Sequence, residues 1–376
     1  MTRVVRQPHD RSMQLSSTLS WLVDSAAETA GADRLLAELG AHLVADGLPL
    51  SGGALTLEVP HPLIARRTWL WLAESGEVIE ALGFAPGGPA AMREASPESD
   101  AGRRWLAGIA AGLVHQDAIG PRRDGPLLGW IGPGRFTLSE TNQLRQAARF
   151  AAAPLAALAA RATLTAALEA YLGRRSAARV LAAPLRRGIG ETIQAALLCA
   201  DLRDFTALSD SNPPSQVISA LDAWFDRIAG AVHAFGGEVL KFIGDGVLAI
   251  FPVVGGAPRP ACDAALRAVS AARAGMAHLD KERDRQGLPP LPFGAALHLG
   301  EMLWGNIGAA DRLDFTAIGP AVNLVSRLEG LCRPLGKAVL VSGALAAETD
   351  APLIALGTHV LRGIASPCAV FALPEN

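Results

Sequence analysis

The segment that most constrains the fold is an apolar hairpin at residues 236–251, GGEVLKFIGDGVLAIF. Its two apolar runs flank an Asp-Gly pair, a favoured hairpin turn because Gly tolerates positive φ and Asp bonds the local backbone. Strand alternation places Lys241 on one face with Val239 and Ile243, and the turn places Asp245 at the tip. An edge-strand lysine that prevents aggregation and a turn aspartate would explain both residues without any function. The rest of the chain decides between that explanation and a functional site.

The segments around the hairpin predict an α+β domain. From about residue 193 the order is strand, helix, hairpin, helix, strand, helix and strand. The strand IQAALLCADL is almost entirely apolar, and the helix after it has Pro at its start and Gly at its end. This order favours a ferredoxin-like antiparallel sheet with helices on one face. In such a sheet the first strand lies beside the hairpin, so Asp201 at the end of that strand and Asp245 can converge.

Two convergent carboxylates predict a metal site. Like charges that lie close together repel one another unless a cation sits between them. Oxygen ligands that leave open positions suit Mg²⁺, which completes its coordination with water and substrate phosphates. A pair of such ions can activate an attacking hydroxyl and neutralise a leaving oxygen. The ordinary alternative for Asp201 is a strand-end turn or a helix cap.

Four blocks of the sequence, in this order and spacing, resemble the catalytic domain of the class III nucleotide cyclases over about half of the chain. They are ADLRDFTALSD, FGGEVLKFIGDGVLAIF, HLGEMLWGNIG and DFTAIGPAVNLVSRLEGL. The resemblance implies a cyclase that releases pyrophosphate, with two Mg²⁺ or Mn²⁺ ions in each site of a homodimer. By position it implies metal binding by Asp201 and Asp245, purine recognition by Lys241 and Thr316, and contacts to the ribose and the reacting phosphate by Asn323 and Arg327. Arg362 is a further candidate for phosphate neutralisation.

The resemblance also implies that each site is shared between two chains. The two aspartates come from one protomer, and the lysine, threonine, asparagine and arginine come from its partner. All six of these positions are filled here, and Thr316 stands where the family often has an aspartate. A threonine at this position resembles the subgroup that includes bicarbonate-responsive adenylate cyclases. The filled positions argue against an inactive relative.

The purine-reading pair favours ATP over GTP. Lys241 can only donate, which suits N1 of adenine, and the Thr316 hydroxyl can accept from the exocyclic amine. Guanine reverses both groups on this edge, and a site built for one hydrogen-bond pattern rejects the other. The threonine hydroxyl can also donate, so a guanylate or pyrimidine-nucleotide cyclase stays an alternative. A nucleotide-binding regulatory dimer without turnover is an alternative of another class.

The chain divides into four expected segments. Residues 1–14 are polar and expected to be disordered, and residues 15–136 have the element order of a small α+β domain similar to a GAF-type sensor. No motif in that domain identifies its small-molecule or protein signal. Residues 137–190 are expected to form a helical linker and connector. They carry a capping box and a weak heptad pattern, with a helix packed on its own domain as the alternative. Residues 191–376 are the cyclase-like domain.

Composition excludes several classes of protein. The formal net charge of −2 argues against binding nucleic acid through a broad basic surface. The apolar runs are too short for a membrane span, and the N-terminus lacks the apolar core of a signal peptide, so a cytoplasmic protein is expected. The four cysteines lie far apart and form no CxxC pair, which argues against a zinc site or a disulfide framework.

Overall fold

The protein is described by a computed structural model over residues 16–58, 64–84, 101–120, 125–182, 186, 188, 190–309 and 311–374. The chain forms two compact units, Met1–Leu164 and Thr165–Asn376. The boundary between them falls inside the segment expected to be a helical linker. The expected disorder of residues 1–14 lies outside the described residues.

The first unit is an antiparallel sheet with helices on both faces. Its elements are α1 (Ser17–Asp24), a 3-10 turn (Ala26–Glu28), α2 (Ala32–Ala45), β1 (Gly52–Glu58), β2 (Ile64–Leu72), β3 (Val78–Phe84), α3 (Ala101–Ile109), β4 (His115–Ala118), β5 (Leu127–Ile131) and α4 (Leu138–Phe150). The strand order is β3-β2-β1-β5-β4. Trp69 and Trp71 are buried in the core that contains α2, and Gly40 lets Trp71 approach the helix closely. The similarity to a GAF-type sensor stays a prediction.

The helical segment is longer and more exposed than the sequence indicated. Thr137 and Glu140 form the expected capping box at the start of α4. The next helix, α5 (Ala152–Leu172), follows almost without interruption, because a proline such as Pro154 is tolerated in the first turn of a helix. Among its side chains only Pro154 and Leu155 are buried. The helix is therefore not packed along its length on its own domain, which was the alternative to a linker.

This segment also corrects the expectation that nothing in the chain reaches the length of a membrane span. Together Leu138–Leu172 make one helix of 35 residues whose most apolar window has a mean hydropathy of 1.4, with 17% of that window buried. By length and composition it could cross a membrane. The sequence estimate failed because it counted uninterrupted apolar letters, whereas helical continuity through Ala151 joins two shorter runs. Length and composition do not by themselves separate a span from a helix of another kind.

The second unit is built on an eight-stranded sheet. Its strands are β6 (Gly190–Leu202), β7 (Glu238–Ile243), β8 (Gly246–Pro252), β9 (Phe293–Gly308), β10 (Leu313–Ile318), β11 (Val339–Ser342), β12 (Ile354–His359) and β13 (Cys368–Ala372). The strand order is β12-β13-β11-β9-β6-β8-β7, and β10 pairs with β9. The first strand therefore lies beside the hairpin, as expected. The sheet is mixed rather than purely antiparallel, because β11 pairs with β9 in parallel.

Helices cover both faces of this sheet, so the expectation of one covered face was wrong. The helices are α6 (Arg174–Ala182), α7 (Phe205–Ser211), α8 (Pro214–Ala234), α9 (Arg259–Arg285), α10 (Pro320–Glu329) and α11 (Gly343–Ala346). Leu198 of β6 packs in the core with α8 and α9, whereas Leu197 packs in a second core with α10. A strand buried on both faces has a continuous apolar run, and that is the pattern of β6.

The start of the hairpin also holds helix α6 in place. The Glu238 carboxylate is 4% exposed. It accepts hydrogen bonds from the Ser176 backbone N–H at 2.9 Å, the Ser176 hydroxyl at 2.8 Å and the Arg175 backbone N–H at 3.2 Å. Gly173, at φ +81°, precedes the helix, and a Cβ there would lie 2.9 Å from the carboxylate. The strand that carries Lys241 therefore caps the helix that leads into this unit.

We expect Ser176→Ala to lower the free energy of unfolding of the second unit by about 1.5–3 kcal/mol, since it removes a donor from a buried carboxylate. Urea denaturation of the full chain measures this change. Ser270→Ala is the matched control, because the Ser270 hydroxyl donates to Leu266 O within its own helix. Its effect should stay within about 0.5 kcal/mol. Equal losses in the two variants would contradict the capping role of Glu238.

Candidate active site

The end of β6 and the tip of the hairpin bring Asp201 and Asp245 together. Asp201 lies one residue before the end of β6 and pairs with Gly294 of β9, while Ala200 pairs with Val247 of β8. Burial, the contact with Asp245 and the nearby Glu329 together raise the pKa of Asp201 to about 7, against the opposing effect of Arg203. The Asp245 carboxylate therefore lies close enough to raise the pKa of Asp201, as the pairing of β6 with β8 predicts.

A buried tryptophan fixes the hairpin tip. Trp224 of α8 is fully buried, and its indole N–H donates to the backbone carbonyl of Asp245 at 2.9 Å. Its ring packs against Phe293 with the centroids 5.0 Å apart. Sequence reasoning did not single out Trp224. The sequence feature that could have identified it is a large aromatic side chain with a hydrogen-bond donor on the apolar face of a helix.

An ion pair lies beside the aspartates. Arg203 and Glu329 approach to 3.1 Å between Nη2 and Oε1, and Glu329 is 9% exposed. Burial raises the pKa of Glu329, as does Asp245, whereas Arg203 lowers it. A cavity of about 170 Å³ opens here, with Asp201, Gly246, Ser326 and Glu329 among its lining residues. Neither member of the ion pair was predicted from the sequence. Arg203 follows the end of a strand and Glu329 lies on a helix far along the chain, so no local spacing indicates that they interact.

The donor set fits a hard divalent cation that keeps part of its water. The buried Oδ1 of Asp201 has no hydrogen-bond partner among the described residues. A cation between the carboxylates would satisfy this oxygen and offset the repulsion. The described part of the chain holds no group of three or more His, Cys, Asp or Glu side chains arranged for a metal. Two carboxylates with open positions suit Mg²⁺ or Mn²⁺ completed by water and phosphate oxygens.

Lys241 lies on a different face from the one expected. The register of β7 against β8 shifts between Val239 and Lys241, which marks a β-bulge. Lys241 pairs with Leu248, so it faces the core that contains Leu240, whereas Val239 belongs to the opposite core. The prediction that Lys241 shares a face with Val239 was wrong, because a bulge breaks the two-residue period of a strand.

Lys241 forms an ion pair with Asp314 of β10. Strands β7 and β10 are separated in the sheet order by β8, β6 and β9, so the sheet must curl to bring them into contact. Thr316 is half-buried and lies two residues beyond Asp314, hence on the same face of β10. The structure thus places Lys241 close to the strand face that carries Thr316. Asp314 was not among the residues predicted from the sequence. The feature that could have identified it is its spacing of two residues from Thr316.

Asn323 and Arg327 are exposed on α10, one turn apart. Val325 and Leu328 turn into the core, and Ser326 and Glu329 line the cavity beside Asp201. Neither Asn323 nor Arg327 is among the residues that line this cavity. Within one chain, the two predicted phosphate and ribose contacts are thus exposed to solvent and do not line the cavity that contains Asp201.

Arg362 is separated from the other site residues. It is exposed in the turn between β12 and β13, at the edge of the sheet opposite to β7. Its role in phosphate neutralisation stays a prediction that the geometry of one chain does not support.

Comparison with known proteins places this unit in a family. Residues 190–347 match the family described as the adenylate and guanylate cyclase catalytic domain. Adenylate cyclase 1 of Rhizobium meliloti (strain 1021) is 34% identical over 148 residues, 39% of this chain and 22% of that protein. An adenylate cyclase of Anabaena cylindrica is 29% identical over 169 residues, 44% of this chain and 32% of that protein. These matches thus span less than a third of each relative's length.

A solved structure supports the same assignment at the level of fold. A bacterial light-regulated adenylyl cyclase has a TM-score of 0.50 and 21% identity, over 69% of this chain and 85% of the other. The region of residues 190–347, less than half of the chain, therefore matches the catalytic domain of adenylate and guanylate cyclases. Named adenylate cyclases are among its relatives.

We expect Asp201→Asn to stabilise the metal-free protein at pH 8. The pKa of Asp201 is raised from 3.8 to about 7, so its ionised form opposes folding above pH 7, and this penalty fades as pH falls toward 4. The melting temperature in EDTA should rise by about 2–4 °C at pH 8, the size expected of a partly screened repulsion, and by less at pH 5.

Asp222→Asn is the matched control, because Asp222 is an exposed carboxylate on α8. It should leave the pH dependence of melting unchanged. An Asp201→Asn protein that melts below the wild type at pH 8 would contradict the close approach of the two aspartates.

Proposed function

We propose that this chain converts ATP to cyclic AMP and pyrophosphate by in-line attack of the ribose 3′-hydroxyl on the α-phosphorus. The observation that carries the proposal is the convergence of Asp201 and Asp245 where β6 meets the hairpin, inside a class III cyclase catalytic domain. Two carboxylates repel the negative charge of a triphosphate. They can therefore bind it only through cations that lie between the carboxylates and the phosphates.

Each predicted residue has a physical task in this reaction. Asp201 and Asp245 hold two Mg²⁺ or Mn²⁺ ions, which when bound favour ionisation of the attacking hydroxyl and neutralise the leaving oxygen. Arg327 donates to the phosphoryl oxygens, where negative charge builds in the transition state. Asn323 orients the ribose, which aligns the hydroxyl with the phosphorus. Arg362 stays a weaker candidate for a phosphate contact.

The choice of ATP rests on Lys241 and Thr316. The ammonium donates to N1 of adenine, and the hydroxyl accepts from the exocyclic amine. Relatives named adenylate cyclases support the same choice. A guanylate or pyrimidine-nucleotide cyclase would need the threonine to donate instead, and a regulatory dimer without turnover would have no need of the metal-binding carboxylates.

We further propose a homodimer with two equivalent shared sites. The aspartates of one protomer would act with Lys241, Thr316, Asn323 and Arg327 of its partner. The exposed position of Asn323 and Arg327 supports this arrangement, since they can reach a second chain. Exposed apolar side chains on strands of the same unit also favour association, and they include Ile243, Leu303 and Ile318. The signal at the first unit and a cytoplasmic location stay predictions.

Product identification tests the proposed function. The full chain is incubated with each nucleoside triphosphate and Mn²⁺ or Mg²⁺, and the products are identified by mass spectrometry. We expect cyclic AMP to dominate. Asp201→Ala and Asp245→Ala should each lower turnover by about 100-fold or more, the order of loss seen when a group that stabilises transition-state charge is removed.

Asp350→Ala provides the control, because Asp350 is an exposed carboxylate paired with Arg259 and lies outside the site. It should leave turnover unchanged. A dominant cyclic GMP or cyclic pyrimidine product would reject the choice of base, and the absence of any cyclic product would reject the cyclase. Near-wild-type activity in either aspartate variant would reject the metal assignment.

A further inference from the structure

We infer that a cavity beside helix α9 binds a small amphipathic anion, a molecule with an apolar body and a negatively charged group. The cavity has a volume of about 730 Å³. Small-molecule sites in proteins usually measure about 300–1,000 Å³. Helix α9 forms one wall, and Phe235, residues 351–352 and residues 373–374 form the others.

The cavity is separate from the candidate active site. It lies on the face of the sheet that α8 and α9 cover, whereas α10 covers the other face. None of the described residues that line it was predicted to bind a metal or a nucleotide. A ligand here would therefore be a second one, and the inference does not depend on the proposed function.

The floor of the cavity is apolar. Leu266 of α9 is 5% exposed and packs in the same core as Leu198 of β6. Phe235, Ala351 and Leu373 are half-buried and pack against this core as well. Covering such side chains removes apolar surface from water, which favours binding roughly in proportion to the area covered. The floor therefore favours a ligand with an apolar body.

Two arginines give the cavity a positive charge. Arg267 and Arg273 lie six residues apart on α9, hence about 9 Å apart along the helix axis. No Asp or Glu is among the described residues that line the cavity, and within the described chain neither arginine has a carboxylate partner. Asp263 lies one turn before Arg267 but accepts a hydrogen bond from the Thr349 hydroxyl at 2.7 Å. The two guanidinium groups are thus available to an anion.

Contacts within the protein hold both guanidinium groups at the wall of the cavity. The Arg267 guanidinium lies over the Phe235 ring, 5.7 Å from its centroid. Arg273 Nη1 donates to the backbone carbonyl of Pro374 at 3.1 Å. A guanidinium has five N–H donors, so each arginine keeps donors for a ligand. Because the groups are already held in place, binding has less side-chain freedom to remove.

The two surfaces together identify the class of ligand. Guanidinium groups bind carboxylate or phosphate oxygens through paired N–H donors, and a sulfonate presents similar oxygens. An ion without an apolar body, such as inorganic phosphate, would leave the floor exposed to water. An uncharged apolar molecule would leave the arginines without a partner. An amphipathic anion contacts both surfaces at once.

The test titrates the full chain, without nucleotide, with two fluorescent probes that differ in charge. They are 8-anilinonaphthalene-1-sulfonate and N-phenyl-1-naphthylamine, which has the same rings but no sulfonate. We expect Arg267→Gln and Arg273→Gln each to weaken binding of the sulfonate about 10-fold, the order of loss when one hydrogen bond to a charged group is removed. Binding of the uncharged probe should change by less than about 2-fold.

Arg285→Gln is the matched control, because Arg285 is an exposed arginine in the last turn of the same helix and does not line the cavity. It should leave the binding of both probes unchanged. Inorganic phosphate at the concentration of the sulfonate should not displace it. Displacement by phosphate would show that the apolar floor takes no part in binding, and it would overturn the inference.

Filling the cavity tests the location of the site. Ala274 is exposed on α9 and lines the cavity, so Ala274→Trp places an indole where the ligand would lie without changing the core. We expect it to weaken binding of both probes about 10-fold or more, with a melting temperature within about 2 °C of the wild type. Sulfonate binding that Ala274→Trp leaves unchanged, or that both arginine variants leave unchanged, would overturn the inference.

Discussion

The repulsion between the Asp201 and Asp245 carboxylates is the interaction on which the rest of the catalytic unit depends. The pairing of β6 with β8 and β9 brings the two together, and Trp224 fixes the tip that carries Asp245. Arg203 offsets part of the negative charge but is itself paired with Glu329. A fold that buries like charges without full compensation gives up stability, and a bound cation would restore it.

The sequence predicted the local elements and the pairing of the first strand with the hairpin, because both follow from patterns within short segments. The apolar run of β6, the Asp-Gly turn and the terminal Pro and Gly of α8 each specify an element, and their order fixed the pairing of β6 with the hairpin. The same reasoning placed Asn323 and Arg327 on one face of a helix. These parts of the site could be derived from spacing alone.

What the sequence could not give is set by contacts between distant segments. The bulge at Leu240 depends on how β7 fits the curled sheet, and it moved Lys241 to the face opposite to the one expected. The fold also sets the ion pairs of Asp314, Arg203 and Glu329, whose partners lie far away in the sequence. The helices on the second face of the sheet were not predicted. The continuous apolar run of β6 indicates burial on both faces, but it was assigned to a sheet covered on one face.

We propose that the aspartates and the exposed residues of α10 belong to different halves of a site that two chains share. The most direct measurement mixes Asp201→Ala and Asn323→Ala chains, each nearly inactive alone, by co-expression with two affinity tags. With random pairing about half of the dimers are mixed, and each mixed dimer holds one intact site. We expect activity to recover to about a quarter of the wild-type value. No recovery in tag-verified heterodimers would contradict it.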